Sequence, residues 1–261
     1  MSKSFRNVND SFGGRLTAAA QRQKNDAASE VAGLLSERFE VLETLVESET
    51  HTLYLARDLS LPSPDAPEGS DLVKLKALSG PAARDDRQIN LFHLEAHAAA
   101  RLAHQNIIKT TEAEEINGLH FCVIQHKPDA ESLRALLKRE GWFELDRALE
   151  IIKQVASALG HAHDLGVLHL TLQPEKILVE PDGTVLVTGF GIESRKDLLW
   201  AHQERSHACA PQYISPEQVQ CKQIDQRSDL YSLGIVMFEM LTDRVPFDSQ
   251  DSISIKLKHL N

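Results

Sequence analysis

Two histidines near residue 95 are spaced as zinc ligands often are. His93 and His97 lie four residues apart, so both would project from one face of a helix. Glu95 lies midway between them and would point to another face, whereas zinc-hydrolase motifs place the glutamate beside a histidine. We therefore expect no metal site at these residues.

Glu95 itself predicts an ion pair. It follows Leu91 by four residues and so falls within the apolar stripe of the predicted helix. In the preceding strand, Lys74 and Lys76 share one face because side chains alternate along a strand. A carboxylate on a buried face is costly unless a cation meets it, so a strand lysine is the natural partner of Glu95.

The most informative stretch runs from residue 169 to residue 191. It reads HLTLQPEKIL from His169, turns at Pro181-Asp182-Gly183, and continues as TGFG from Thr188. These two runs resemble the catalytic loop H-R-D-L-x-x-x-N and the metal-binding loop D-F-G of protein kinases. The resemblance implies that a kinase-like fold surrounds them.

The residues at the chemical positions differ from the family pattern. The catalytic aspartate is replaced by Thr171, the metal-binding asparagine by Lys176 and the metal-binding aspartate by Gly189. Gln173 replaces the phosphate-contacting lysine, and Leu170 replaces the arginine that reads a phosphorylated activation segment. Phosphoryl transfer needs a carboxylate near the substrate hydroxyl and oxygen ligands for magnesium. The sequence therefore predicts a pseudokinase without catalytic or metal-binding residues.

The resemblance covers roughly residues 38–261, and its best match is the Ser/Thr kinases of bacterial type. The supporting features occur in the family's order: an H-P-N-I-like turn, a strand with the hinge, an A-P-E-like triplet and a central helix, at residues 104–107, 121–126, 215–217 and 228–234. His202, His207, Cys209 and Cys221 fall in the implied activation segment, and we interpret them as ordinary loop residues. In the family, the partner of Glu95 would be Lys76.

Four residues would contact a nucleotide if one binds, as the resemblance implies: Lys76, Glu95, Gln125 and His126. The loop that should cover its phosphates departs from the pattern, however.

In that covering loop, Val46, Ser48 and His51 replace the glycines of G-x-G-x-x-G, and Glu47 and Glu49 add negative charge. Lys74 also replaces a small alanine above the adenine site. We expect no cofactor, or ATP that binds weakly and without a need for magnesium.

The implied fold class is α+β, a bilobal kinase-like fold with a small β-rich N-lobe and a mainly helical C-lobe that lacks its last helices. We predict an extension, disordered or helical, over residues 1–37, the N-lobe with the hinge over 38–126 and a truncated C-lobe over 127–261. Apolar spacing predicts a helix from Leu145 that ends near Gly166. A nearly all-apolar helix over residues 229–242 should lie at the centre of the C-lobe.

Composition limits the kinds of partner and the cellular location that are expected. Twenty-eight basic and 38 acidic residues give a net charge of −10, which indicates no nucleic-acid partner. Three cysteines without a C-x-x-C pair indicate reduced thiols and a cytoplasmic location. No apolar run approaches about 18 residues, so no membrane segment is expected. A protein partner, a kinase or another signalling protein, fits a pseudokinase best.

Two alternatives stay open. The chain could be an active Ser/Thr protein kinase that binds ATP with an atypical metal site, in which Lys176 replaces the charge of a cation. It could also be a truncated product without function.

Overall fold

A computed structural model of the chain describes residues 31–261 apart from residues 32, 49, 61–70 and 194–208. Most of the predicted extension over residues 1–37 lies outside the described residues, as do Glu49, His202 and His207. The predicted division at residues 38 and 127 stays a prediction.

An antiparallel five-stranded sheet forms the first lobe, in the order β1-β2-β3-β5-β4. Burial alternates along β2 and β3, and in β2 the buried residues are Thr52, Tyr54, Ala56 and Asp58. The strands are β1 (Phe39–Glu47), β2 (His51–Asp58), β3 (Leu72–Leu78), β4 (Glu114–Ile116) and β5 (Leu119–Gln125).

One face of this sheet is a small apolar core. Phe39 packs edge-to-face on Phe121, with ring centroids 5.8 Å apart, and Leu75 lies in the same cluster. Leu35, from a helical turn before β1, also packs there. Because side chains alternate along β3, Lys74 and Lys76 point to the opposite face of the sheet.

Helix α1 (Asp86–Ala100) supplies the partner for that second face. It begins at Asp85, whose side chain accepts a hydrogen bond from the Arg87 backbone N–H at 2.8 Å, a common N-cap arrangement. Phe92 and Ala96 are buried on the face of the helix that packs against the sheet, and their burial fixes the rotation of the helix about its axis. Glu95 is thereby directed at β3.

The second lobe is mainly helical, as predicted. Helix α3 begins at Leu145 and ends at Asp164, and Gly166 follows with a φ of +71°, a conformation that favours glycine. Within the described residues, no helix is both long and apolar enough to cross a membrane. The helices are α2 (Leu133–Glu140), α3 (Leu145–Asp164), α4 (Pro216–Val219), α5 (Gln226–Thr242) and α6 (Ser252–Lys258).

Helix α5 lies in the core of this lobe, as its apolar sequence predicts, although two of its apolar side chains are exposed. Leu233, Val236 and Met240 are buried where α5 packs against α3 and the 3₁₀ turn at residues 211–213. Leu230 is 51% exposed and Phe238 is 37% exposed, because this packing does not reach their faces of the helix.

Short strands position the two loops that resemble the kinase site. A three-stranded sheet has the order β6-β8-β9, and β7 pairs with β10. Ile177 pairs with Val187 at the open end of the β8–β9 hairpin, and this pairing brings the adjacent residues Lys176 and Thr188 together. These strands are β6 (Glu131–Ser132), β7 (Val167–Leu168), β8 (Ile177–Val179), β9 (Val185–Val187) and β10 (Ile192–Glu193).

The turn after α1 holds a histidine in its neutral form. The backbone N–H of Asn106 donates to Nδ1 of His104 at 3.1 Å, so the ring proton must lie on Nε2, which donates to Ser157 Oγ at 3.2 Å. The ring also stacks on His161 at 5.2 Å. Burial, and next the neighbouring His161, lower the pKa of His104.

We therefore expect stability to fall with acidification. Below the ordinary histidine pKa of 6.5, the unfolded chain takes up a proton that the folded His104 resists, so the unfolded state binds more protons. The expected result is a melting temperature that declines from about pH 7 to about pH 5, and declines less in His104→Gln, whose amide oxygen can still accept from Asn106. Equal declines in both proteins would contradict this role.

Candidate functional site

The loop between β1 and β2 closes on itself. The Ser48 N–H donates to the His51 carbonyl at 2.9 Å, and the His51 N–H donates to Ser48 Oγ at 3.1 Å. Ser48 Oγ also donates to the His51 carbonyl at 2.8 Å, while Thr50 Oγ1 lies 3.1 Å from His51 Nδ1. The sequence predicted the loss of the glycines but not this turn.

A loop that covers phosphates works through close backbone approach and outward N–H groups. Here the N–H groups of Ser48 and His51 are used inside the turn, and side chains stand at all three glycine positions. Val46 is 52% exposed near the end of β1. These two N–H groups are therefore not available to a polyphosphate.

The predicted pair between Lys76 and Glu95 is confirmed. Lys76 Nζ lies 3.1 Å from Glu95 Oε2, and both side chains are mostly buried between β3 and α1. The ammonium also lies 5.4 Å from the centroid of the Phe92 ring. Burial raises the pKa of the adjacent Cys122 thiol to about 11, against the opposing effect of Lys76, so this thiol stays protonated.

The proposed adenine region contains two basic side chains. Burial lowers the pKa of Lys74, and burial followed by the charge of Lys74 lowers the pKa of His126. His126 Nδ1 is buried and has no hydrogen-bond partner among the described residues. Gln125 is exposed at the end of β5, where its N–H donates to the Lys109 carbonyl at 2.9 Å. The role of Gln125 and His126 in nucleotide contact stays a prediction.

A buried carboxylate anchors the loop at residues 169–176. Asp229 of α5 is fully buried and accepts hydrogen bonds from the backbone N–H groups of His169 at 2.9 Å and Leu170 at 2.7 Å. It also lies 2.8 Å from His163 Nε2. Leu170 has a φ of +62°, which these bonds and its packing against Ile224 hold in place. The position at which the kinase pattern has an arginine, residue 170, thus has apolar surroundings.

Thr171 lies directly after this anchor. It is 7% exposed, and its N–H donates to His169 Nδ1 at 3.3 Å. A threonine hydroxyl does not ionise near neutral pH, so it cannot accept a proton as a carboxylate base would. Gln173 is placed as the residue before the 3₁₀ turn Pro174–Lys176, and its carbonyl accepts from the Lys176 N–H at 2.9 Å.

The two metal positions are brought together, but they do not fit magnesium. The Lys176 side chain lies against Gly189, with its Cδ 3.3 Å and its Nζ 3.6 Å from where a Cβ on Gly189 would stand. Magnesium requires oxygen ligands in octahedral geometry, and an ammonium group with a glycine supplies none from side chains. The structure thus adds to the sequence prediction that the lysine fills this space.

The histidines first considered as zinc ligands have different partners. His93 Nε2 lies 3.1 Å from His120 Nδ1, whereas His97 Nδ1 lies 3.4 Å from Glu112 Oε1. Across the described ranges, no three or more histidine, cysteine, aspartate or glutamate side chains are grouped to hold a metal ion.

A polar network in the helical lobe was missed from the sequence. Arg134 of α2 contacts Glu239 Oε1 of α5 at 2.6 Å and Glu175 Oε1 at 2.8 Å, and it also bonds the hydroxyl of Tyr213. That hydroxyl donates to Glu239 Oε2 at 2.6 Å. Burial, and then Glu239, raise the pKa of Tyr213. A glutamate inside the apolar α5 sequence was the available signal, since it required a buried partner.

Comparison with known proteins identifies the relatives of this chain. A family model described as the protein kinase domain matches residues 67–261. The probable serine/threonine-protein kinase PknB of Lactococcus lactis is 30% identical over 230 residues, which cover 88% of this chain and 35% of that protein. Serine/threonine-protein kinase PrkC of Bacillus subtilis is 32% identical over 226 residues, which cover 87% of this chain and 34% of that protein. The chain spans about a third of the length of these curated relatives.

A solved structure shares the fold. The kinase domain of PknI from Mycobacterium tuberculosis, studied as a double mutant, matches with a TM-score of 0.62 and 24% identity, over 80% of this chain and 76% of that one. The likeness supports the two-lobe architecture, with the β-rich lobe followed by the mainly helical lobe.

Proposed function

Because the chain belongs to the protein kinase family, in its bacterial Ser/Thr branch, we propose that it is a catalytically inactive member that acts by binding a protein partner. The observation that carries the proposal is the Lys176 side chain lying against Gly189, where the metal ligands would be needed. Thr171 at the position of the catalytic base supports it further. A positioned base contributes roughly 10²–10⁴-fold, and metal ions add to this.

The partner is proposed to be a kinase or another signalling protein in the cytoplasm. The net charge of −10 argues against nucleic acid, and the described cysteines are all free thiols, as a reducing compartment would keep them. Helix α6 exposes Ile253 by 69% and Leu257 by 53%, one turn apart, which suits contact with another protein.

The direct test is transfer of radiolabelled phosphate from ATP with magnesium to the chain itself and to generic protein substrates. We expect no transfer above background. A Lys76→Met variant is the control, because activity that survives this change comes from a contaminating kinase. Transfer that depends on Lys76 would refute the proposal.

The second candidate is an active Ser/Thr kinase with an atypical metal site. The Lys76–Glu95 pair favours it, since this is the arrangement that positions phosphates in active kinases. The curated relatives are also named as kinases. The two candidates differ in whether magnesium and ATP bind together.

We expect at most weak ATP binding that magnesium does not improve, because the covering loop is closed and Lys176 fills the metal region. A ligand at 100 times its Kd would stabilise the fold by about 2.7 kcal/mol, which raises the melting temperature of a domain this size by roughly 5–10 °C. The measurement is thermal shift at millimolar ATP with and without magnesium. A shift of this size that requires magnesium would favour the active kinase instead.

Restoring the lost groups should not restore activity. Thr171→Asp, Lys176→Asn and Gly189→Asp together would return the base and metal ligands, but the turn at Ser48 and His51 would remain. Misplacement of reacting groups by about 1 Å costs on the order of 10²-fold. The measurement is the same phosphate-transfer assay, with Lys76→Met added to the triple variant as control. Robust autophosphorylation by the triple variant alone would show that the β-rich lobe is competent.

A further inference from the structure

We infer that Lys176 takes the place of a bound metal ion and joins the two loops that such an ion would bridge. The residues do not fit magnesium, yet the space is filled: Cδ, Cε and Nζ of Lys176 lie 3.3, 3.6 and 3.6 Å from the position of a Cβ on Gly189. The lysine side chain therefore runs across the glycine along its carbon chain as well as at its ammonium group.

The segment at residues 188–191 is held from two sides. On one side, His169 Nε2 donates to the Thr188 carbonyl at 3.1 Å, and its ring lies 4.9 Å from that of Phe190. On the other side, the Thr188 N–H donates to the Lys176 carbonyl at 2.9 Å, and the Lys176 side chain covers Gly189. Lys176 thus contacts the segment through both its backbone and its side chain.

The two replacements are complementary. Gly189 has a φ of +81°, and any larger residue there would bring its Cβ into close contact with the Lys176 side chain. A Cβ at 189 would therefore require the lysine side chain to shift by a few tenths of an ångström. Because the lysine is part of the chain, the link does not depend on the concentration of a metal ion or a nucleotide. Cδ and Cε lie as near to the space beside Gly189 as Nζ does, so we assign the link to the carbon chain of the lysine.

Amide hydrogen exchange of the peptide spanning residues 185–191 tests this inference without reference to activity. Lys176→Asn removes the long side chain, and we expect exchange at residues 188–191 to become at least about tenfold faster. Lys176→Met keeps the chain length without the charge, and its exchange should stay within about threefold of the parent protein. The inference is overturned if the asparagine variant exchanges like the parent, or if methionine is as disruptive as asparagine.

A double-mutant cycle provides a second, independent measurement. Gly189→Ala introduces the same backbone strain in every background, but it meets the lysine side chain only in the parent. We expect it to raise the unfolding equilibrium constant by a factor at least about fivefold larger in the parent than in the Lys176→Asn background. Equal factors in the two backgrounds would show that the side chains at positions 176 and 189 are not coupled.

Metal addition completes the test. Exchange of the 185–191 peptide in the parent should be unchanged by millimolar magnesium or manganese, alone or with ATP. Slower exchange with the metal alone would mean that an ion, and not Lys176, joins the loops. This outcome is distinct from failure of the proposed function, which is read from phosphate transfer.

Discussion

Asp229→Ala is expected to lower the free energy of unfolding by about 4 kcal/mol, the largest effect of any single change proposed for this chain. The fully buried carboxylate accepts the backbone N–H groups of His169 and Leu170 and lies within hydrogen-bond distance of His163. Alanine would leave these donors buried without a partner, and each hydrogen bond to a charged group contributes about 1.5–3 kcal/mol. Such a loss is a large share of the free energy of unfolding of a typical domain, which is roughly 5–15 kcal/mol.

Urea denaturation of Asp229→Ala beside Asp225→Ala measures this effect. Asp225 caps the same helix from a half-buried position, where its side chain accepts from the Arg227 N–H at 2.9 Å. Loss of such a cap costs about 1 kcal/mol. If Asp229→Ala is no more destabilising than Asp225→Ala, the anchor does not hold the loop as described.

Arg134→Ala is expected to cost roughly 3 kcal/mol, at the lower end of the range for breaking a buried ion pair. Glu239 is only 9% exposed and would lose its 2.6 Å contact with the guanidinium, leaving a buried carboxylate whose remaining neighbour is the Tyr213 hydroxyl. Glu175 would lose its 2.8 Å contact as well. The 3₁₀ turn Pro174–Lys176, at the end of the 169–176 loop, would thus be freed from α2.

The matched control for this prediction lies on the same helix. Arg139 contacts Glu131 and Glu140 but is exposed, so Arg139→Ala should leave the urea midpoint almost unchanged. Arg134→Met provides a further comparison, because it retains apolar volume while removing the charge. An Arg134→Ala protein as stable as Arg139→Ala would mean that solvent compensates Glu239.

Local sequence patterns were sufficient to predict several helices and strands, and together with the family resemblance they predicted the contact between β3 and α1. Alternation placed Lys74 and Lys76 on one face of β3, and helical spacing placed Glu95 in the apolar stripe of α1. The cost of a buried carboxylate predicted an ion pair with one of these lysines, and the kinase resemblance selected Lys76, which the structure pairs with Glu95. Helix α3 likewise begins at Leu145 and ends just before Gly166, as its spacing predicts. These features depend on residues close in sequence or on one strong energetic requirement.

The remaining features depend on contacts between particular side chains, which a sequence pattern does not contain. Ser48 and His51 could have been two unrelated polar replacements, and only the folded turn shows that they bond each other. Arg134 and Glu239 lie 105 residues apart. Leu230 and Phe238 look like core residues in the α5 sequence, but their exposure depends on which neighbours pack there.

The contact between Lys176 and Gly189 also couples the effects of substitutions at the two positions. An aspartate at 189, the residue of the kinase pattern, would bring its Cβ close to the lysine side chain, in a backbone with a φ of +81°. An asparagine at 176, the other residue of that pattern, would shorten the side chain that covers Gly189 and would gain no metal ligand at 189. Neither change alone restores both metal ligands, so the consequence of each depends on the residue at the other position.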